Sequence, residues 1–118
     1  SLPRTRVDHC GAFIAGTEAI SSIGGAQRGM RTMLDALLPA AEELRRDKES
    51  ECSGWAAATR VAEVGADSTT AMKGLAGRSN YINAELLKTV PDPGAKAVAI
   101  AFRAAVEASS QKEENSFL

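Results

Sequence analysis

The sequence is poor in aromatic residues, has nearly balanced charges and contains no long apolar run. Phe, Trp and Tyr together make up 4% of the 118 residues, so the core has to be built from small aliphatic side chains, which suit close helix packing. Lys and Arg number 14 and Asp and Glu 15, a formal net charge of -1 that argues against nucleic acid as a partner. No apolar run is long enough to cross a bilayer, so no membrane association is expected.

Cysteine and histidine are also scarce, which limits the chemistry that the chain can carry. Cys10 and Cys52 lie far apart and match no metal-ligand spacing, so neither a zinc site nor a disulfide scaffold is expected. Reduced thiols are typical of a reducing compartment and predict a cytoplasmic location. His9 is the single histidine, and no Ser-His-Asp or Cys-His set can be assembled. The residues therefore predict no catalytic side chain and no metal ligand within this chain.

The apolar periodicity predicts an all-α chain of about four amphipathic helices, without a strand. The first helix is expected over 10–23 and ends at Gly24-Gly25. The second is expected to begin with a capping box formed by Thr32 and Asp35. Pro39 is expected to kink this helix or to end an irregular first part of it.

Two further helices are predicted in the second half of the chain. One runs from an N-cap at Ser53 to about Lys73, and Gly65 inside it is tolerable if another helix packs closely there. The last helix starts at Asp92, whose side chain caps it, with Pro93 at the first helical position. The residues expected on its buried side are Ala97, Val98, Ile100, Ala101, Ala105 and Val106.

Three short segments at helix ends could bind an anion through free backbone N–H groups. They are Gly24-Gly25-Ala26 with the nearby 31–35, then Gly77-Arg78-Ser79-Asn80-Tyr81, and then Asp92-Pro93-Gly94-Ala95. Arg78 offers a fixed fork of donors that matches phosphate oxygens. Taken singly, each segment is better explained as an ordinary helix cap or a solvated loop. Together they predict one half of a nucleotide site.

The order and spacing of five motifs resemble the C-terminal half of the nucleotide-binding domain of dihydroxyacetone (glycerone) kinases. The motifs are Ile23-Gly24-Gly25-Ala26 followed by Gly29-Met30-Arg31-Thr32-Met33-Leu34-Asp35-Ala36-Leu37, Trp55-Ala56-Ala57-Ala58, Gly65-Ala66-Asp67 with Thr69 and Met72, Gly77-Arg78-Ser79-Asn80-Tyr81, and Asp92-Pro93-Gly94-Ala95. The likeness covers roughly Cys10 to Ser109, and the same domain occurs in triokinase/FMN cyclases and in the bacterial ADP-binding subunit. It implies half of an antiparallel barrel of eight amphipathic helices.

The resemblance also implies roles for single residues. Gly24 is expected near the nucleotide, Thr32 and Met33 at its adenine end, and Arg78 on its phosphates. The segment Asp92-Pro93-Gly94 is expected to form the closing loop beside the nucleotide. ATP or ADP is the implied cofactor, and Mg2+ is implied only for the complete domain, because its ligands do not lie in this chain.

The chain departs from the family chiefly in what it lacks. The Asp-rich magnesium loop, the Gly-rich Ser loop and the substrate domain with its histidine have no counterpart in these residues. Met30 stands where the family usually has Asp, and Ser79-Asn80 where it prefers Ala-Ser. We therefore expect a linker or leader over 1–9, a partial kinase nucleotide-binding domain over 10–111 and a polar tail over 112–118.

The expected function is that of the ATP-binding part of a dihydroxyacetone kinase, an enzyme of glycerol metabolism that transfers a phosphoryl group from ATP to dihydroxyacetone or a related triose. Since phosphoryl transfer depends on metal and cationic groups, the chain alone is expected to be inactive. The expected partners are the nucleotide and the missing N-terminal half or substrate domain of the kinase. A half-barrel leaves apolar faces uncovered, which also allows a homodimer. The alternative is a non-catalytic helical interaction module that self-associates.

Overall fold

The computed structural model describes residues 8–46, 54–72 and 90–116, and every regular element within these ranges is helical. The elements are, in chain order, α1 (His9–Gly24), α2 (Leu34–Arg46), α3 (Gly54–Ser68), a 3₁₀ turn (Thr69–Ala71) and α4 (Pro93–Ser116). The predicted all-α class is confirmed. In the described part of the chain, no helix is both long and apolar enough to cross a membrane.

Helix α1 begins and ends at residues with clear local signals. The Asp8 side chain caps its start by accepting a hydrogen bond from the Gly11 N–H at 2.9 Å. Gly25 follows its last residue with φ at 74° and donates its N–H to the Ser21 carbonyl at 3.0 Å. The left-handed conformation favours glycine, so the predicted stop at Gly24-Gly25 is confirmed.

Helix α2 begins with the predicted capping box. The Thr32 hydroxyl accepts a hydrogen bond from the Leu34 N–H at 3.2 Å. In return, one carboxylate oxygen of Asp35 accepts a hydrogen bond from the Thr32 N–H at 3.0 Å. Asp thus replaces the usual Glu at the third position of the box, and the reciprocal pair anchors the first turn.

Pro39 lies inside α2, and the helix continues on both sides of it to Arg46. The alternative in which Pro39 ends an irregular first part is therefore wrong. Proline has no N–H, so it cannot donate the helical hydrogen bond to the carbonyl of Asp35. That carbonyl packs against Gly65 of α3, where an added Cβ would overlap the carbonyl oxygen. The expectation that another helix packs closely at Gly65 is confirmed.

Helices α3 and α4 are antiparallel, because two ion pairs join them in reversed order. Arg103 of α4 donates to Glu63 of α3 at 2.5 Å, and Lys96 of α4 lies 3.6 Å from the Asp67 carboxylate of α3. The start of α4 follows the prediction, since the Asp92 carboxylate accepts a hydrogen bond from the Ala95 N–H at 3.0 Å. The end of α3 and the start of α4 thus lie at the same end of the bundle.

Alanine side chains fill the space between α2, α3 and α4. The cluster, called the alanine interior below, consists of Ala36, Ala40, Leu44, Ala58, Ala62, Ala66, Ala95 and Ala99. Every member is at most 2% exposed. Small side chains let helix backbones approach closely, as the low aromatic content predicts.

Three of the few aromatic side chains close one edge of the alanine interior. Phe13 of α1 makes edge-to-face contacts with Trp55 of α3 and Phe102 of α4, with ring centroids 5.7 and 5.3 Å apart. The rings of Trp55 and Phe102 lie 5.9 Å apart in a tilted arrangement. This aromatic cluster joins α1 to the rest of the bundle, while Glu18 and Arg45 pair on the surface between α1 and α2.

The predicted buried side of α4 is largely wrong. Over 93–109, its buried residues are Ala95 and Ala99, with Val98, Phe102 and Val106 among the half-buried ones. Four of the residues expected inside lie exposed, namely Ala97, Ile100, Ala101 and Ala105. Alanine fits both faces of a helix, so an Ala-rich segment carries little information about which face is buried.

Several large apolar side chains lie exposed on the helices. Ile23 of α1 is 88% exposed, Val64 of α3 is 68% exposed and Ile100 of α4 is 60% exposed. Surface of this kind is what a half-barrel leaves uncovered, so the four helices are consistent with that prediction. The helix α4 extends to Ser116, into the segment that the sequence assigned to a polar tail.

Candidate functional site

Four polar side chains are buried where α2 begins, α3 ends and α4 begins. They belong to Arg31, Asp35, Thr69 and Asp92, which are 2%, 2%, 0% and 7% exposed. We call this group the polar junction. Buried polar groups are costly unless they are hydrogen-bonded, so their partners define what this end of the bundle is built to hold.

Asp35 folds the loop before α2 back onto the start of that helix. Besides the Thr32 N–H, its carboxylate accepts a hydrogen bond from the Gly29 N–H at 2.6 Å. Gly29 has φ at 92°, a left-handed conformation that glycine adopts without steric cost. One carboxylate thereby fixes both ends of the segment that leads into Thr32 and Met33.

Arg31 ties that segment to two other parts of the chain. Its guanidinium donates to the carbonyl of Thr69 at 3.4 Å and to the carbonyl of Val90 at 2.6 Å. Its φ is 60°, and it is the one non-glycine residue of the described ranges with a positive φ. Such a conformation costs about 1–2 kcal/mol for a residue with a Cβ. In the sequence Arg31 lies within a motif, but no separate role is predicted for it.

Thr69 connects the end of α3 to the start of α4. Its hydroxyl donates to the Ala66 carbonyl at 2.5 Å and accepts a hydrogen bond from the Asp92 N–H at 2.8 Å. The Asp92 carboxylate in turn caps α4. A threonine near a helix end reads as an ordinary residue in a sequence, and only its complete burial reveals this connection.

The polar junction brings together most of the residues predicted to bind a nucleotide. A Cβ added at Gly94 would lie 3.3 Å from the Met33 Cβ and 3.2 Å from the Asp92 carboxylate. Met33 is 40% exposed, so part of its thioether side chain is available to a ligand. Thr32 is half-buried next to it, and Pro93 is exposed on the first turn of α4.

Two predicted site residues are not joined to this group by the structure. Gly24 is exposed at the end of α1, and an added Cβ there would contact nothing within 4 Å. Arg78 lies outside the described residues, together with the rest of 77–81. The roles of Gly24 and Arg78 stay predictions.

Apolar surface lies beside the starts of two helices at this end of the bundle. The starts of α2 and α4 lie at the same end of the bundle, and helix N-termini carry a partial positive charge. Beside them, Met33 exposes an apolar surface and Gly94 leaves room that a Cβ would fill. Met33 and Gly94 therefore stay the predicted base contacts, while the carboxylates of Asp35 and Asp92 occupy backbone N–H groups at the two helix starts.

A magnesium ion does not fit the acidic groups of the polar junction. The carboxylates of Asp35 and Asp92 each accept hydrogen bonds from backbone N–H groups. Over 8–46, 54–72 and 90–116, no three His, Cys, Asp or Glu side chains are grouped in a way that could hold a metal ion.

Comparisons with known proteins match this chain to one family over most of its length. The model of the DAK2 domain matches residues 4–107. A putative 3,4-dihydroxy-2-butanone kinase of Solanum lycopersicum is 39% identical over 111 residues, which cover 92% of this chain and 19% of the relative. The triokinase/FMN cyclase of Rattus norvegicus is 41% identical over 104 residues, which cover 86% of this chain and 18% of the relative.

A bacterial relative shows the same pattern. The dihydroxyacetone kinase of Citrobacter freundii is 37% identical over 97 residues, covering 81% of this chain and 17% of the relative. The chain thus spans about a fifth of the length of the curated relatives that it matches. Because the family model covers nearly the whole chain, the chain belongs to the DAK2 domain family.

Proposed function

We propose that this chain is the ATP-binding part of a dihydroxyacetone (glycerone) kinase, which transfers a phosphoryl group from ATP to dihydroxyacetone or a related triose. The relatives carry names of kinases that act on small hydroxyketones and trioses. The observation that carries the proposal is the close approach of Met33 to Gly94, where an added Cβ would lie 3.3 Å from the Met33 Cβ, beside the capped start of α4. It brings two separate predicted nucleotide segments into one place.

Each residue has a distinct part in the proposed site. Thr32 and Met33 hold the adenine end, where the thioether offers a polarisable apolar surface. The segment Asp92-Pro93-Gly94 closes beside the nucleotide, and its capping carboxylate keeps the first turn of α4 in place. Gly24 lies near the nucleotide and Arg78 contacts its phosphates. Positioning of this kind supplies much of the rate of phosphoryl transfer.

The complete site needs groups that this chain does not supply. Mg2+, when bound in the complete domain, neutralises charge on the phosphates, and its ligands belong to the missing N-terminal half. We therefore propose that the chain alone is inactive and works with that half and with a substrate domain. In this proposal the eight-helix barrel forms only when both halves are present, and the protein acts in the cytoplasm.

A chimeric enzyme tests the function directly. In the dihydroxyacetone kinase of Citrobacter freundii, the segment matched over 97 residues is replaced by the matching part of this chain. We expect the chimera to phosphorylate dihydroxyacetone with ATP. A chimera with the helix content of the parent enzyme that binds neither ATP nor ADP would contradict the proposal.

Single substitutions in the chimera locate the nucleotide. Met33→Ala is expected to raise KM for ATP by about tenfold, because it removes apolar surface from the base. Val64→Ala on α3 is the control for lost apolar surface away from the base: the other half would cover this side chain, so its truncation is expected to lower stability and to leave KM for ATP unchanged. Arg78→Ala is expected to weaken ADP binding without changing helix content. An unchanged ADP affinity would show that the phosphate role of Arg78 is wrong.

The second candidate is a non-catalytic helical module that self-associates, which the exposed Ile23, Val64 and Ile100 favour. Calorimetric titration of the isolated chain with ATP and ADP, with and without Mg2+, separates the two when its mass is measured in the same buffer. A stable dimer that binds no nucleotide, together with an inactive chimera, would favour the module. If the isolated chain binds no nucleotide but the chimera does, the result supports the kinase function.

A further inference from the structure

We propose that Arg31 is a positioning residue of the nucleotide site, which holds the segment before α4 against the segment before α2. This inference rests on the proposed function, because the positioned groups are Met33 and Gly94. Arg31 touches neither the base nor the phosphates in this proposal. It acts through the backbone carbonyls that its guanidinium binds.

Arg31 adopts a backbone conformation that is unfavourable for a residue with a side chain. With φ at 60°, the position would suit glycine better than any residue with a Cβ. Arginine nevertheless occupies it and is 2% exposed. A turn alone does not require a buried cation, so the observed strain points to a role of the guanidinium.

The partners of the guanidinium come from two distant parts of the sequence. Thr69, whose carbonyl accepts one hydrogen bond, is 38 residues away, and Val90, whose carbonyl accepts the other, is 59 residues away. The planar fork of arginine holds both carbonyls in a fixed geometry, which a lysine ammonium cannot reproduce. Arg31 therefore sets the separation of the end of α3 and the approach to α4.

These hydrogen bonds lie directly beside the predicted ligand contacts. Arg31 is two residues before Met33, and Val90 is four residues before Gly94. The Asp92 N–H bonded to Thr69 strengthens the same connection. Since a Cβ at Gly94 would lie 3.3 Å from the Met33 Cβ, loss of the guanidinium is expected to change how closely these two segments approach each other.

The first experiment measures the approach of the two segments without any nucleotide. In the chain with Cys10→Ser and Cys52→Ser, the pair Met33→Cys and Gly94→Cys places two Cβ atoms near the distance that a disulfide needs. We expect Arg31→Met to slow formation of this disulfide by about tenfold at unchanged helix content. If the disulfide forms at the same rate, Arg31 does not hold the two segments and the proposal is overturned.

The matched control is Arg28→Met, in the same loop. Arg28 pairs with Glu42 at 2.9 Å and its side chain is 50% exposed. This variant removes the same charge and is expected to leave the disulfide rate unchanged. Arg31→Lys keeps the buried positive charge but loses the planar pair of donors that binds the two carbonyls. It is therefore expected to fold even if Arg31→Met unfolds. The rate of disulfide formation in Arg31→Lys is expected to lie between the rates in Arg31→Met and in Arg28→Met.

The second experiment measures the effect on the nucleotide in the chimeric kinase. Arg31→Lys is expected to raise KM for ATP by about tenfold and to leave KM for dihydroxyacetone unchanged. A merely structural role would lower the amount of folded enzyme without changing KM for ATP. A slower disulfide with unchanged KM for ATP would therefore overturn the positioning role. If the unsubstituted chimera binds no nucleotide, the proposed function fails, whereas the disulfide experiment still decides whether Arg31 holds the segments.

Discussion

The alanine interior and the polar junction hold the same three helices together by different means. In the alanine interior the contacts are apolar and without direction, and each member contributes through burial alone. In the polar junction each contact is a hydrogen bond between named atoms, joining residues as far apart as Arg31 and Val90. Damage to the first should change stability alone, whereas damage to the second should also move the residues that contact the proposed nucleotide.

The largest effect is expected from Leu44→Ala in the alanine interior. Leu44 is 2% exposed, and its truncation leaves a cavity among small side chains that cannot expand to fill it. We expect a loss of about 3 kcal/mol in the free energy of unfolding. Denaturant titration measures the loss, and KM for ATP in the chimera should stay unchanged. A changed KM would break the distinction between the two regions.

Gly65→Ala is expected to have the next largest effect. Its methyl group would overlap the Asp35 carbonyl, which the backbone of α2 holds in place. We expect a net loss of about 2 kcal/mol after the gain in helix propensity. Gly16→Ala on α1 is the matched control, because an added Cβ there meets nothing within 4 Å. That variant should gain about 0.5–1 kcal/mol, and equal effects at both positions would contradict the contact.

Thr69→Val tests the polar junction with little change of volume. It removes the hydroxyl that accepts a hydrogen bond from the Asp92 N–H and donates one to the Ala66 carbonyl. We expect a loss of about 1.5 kcal/mol, since a buried donor loses this acceptor, and also a raised KM for ATP. Thr70→Val is the control, because the Thr70 hydroxyl donates to the Asp67 carbonyl in an exposed setting. It should change stability by less than about 0.5 kcal/mol.

The smallest effect is expected at an ion pair outside both regions. The hydrogen bond from Arg103 lowers the pKa of Glu63 below its ordinary 4.5, with a smaller contribution from the charge of Lys96. A lowered folded pKa stabilises the protein above the unfolded value, and the contribution is lost as pH falls through the folded pKa. Glu63→Gln should therefore flatten the loss of stability that occurs as pH falls from the ordinary pKa of 4.5 through the lowered pKa of the folded state. An unchanged slope would show that solvent screens the pair completely.

Much of the fold could be predicted because its signals are local. The capping box of Thr32 and Asp35, the stop at Gly24-Gly25 and the capped start at Asp92 each depend on residues within one helical turn. Such signals act through neighbouring backbone groups and need no knowledge of the rest of the chain.

The polar junction could be predicted only in part, because its essential contacts are not local. A loop arginine usually faces solvent, and nothing beside Arg31 indicates the carbonyls of Thr69 and Val90. The prediction of the buried face of α4 is wrong for a related reason. Ala97 and Ala99 are chemically identical, and only the neighbouring helix decides that one is exposed and the other buried.

The packing of Gly65 on the Asp35 carbonyl also fixes the position of α3 along the axis of α2. A slide of α3 by one turn would bring Val61, Ala62 or Thr69 to that carbonyl, and each carries the Cβ for which there is no room. The two helices therefore have one permitted longitudinal setting rather than a series of them. The absence of a side chain at Gly65 thus determines how far the end of α3 extends along the start of α2.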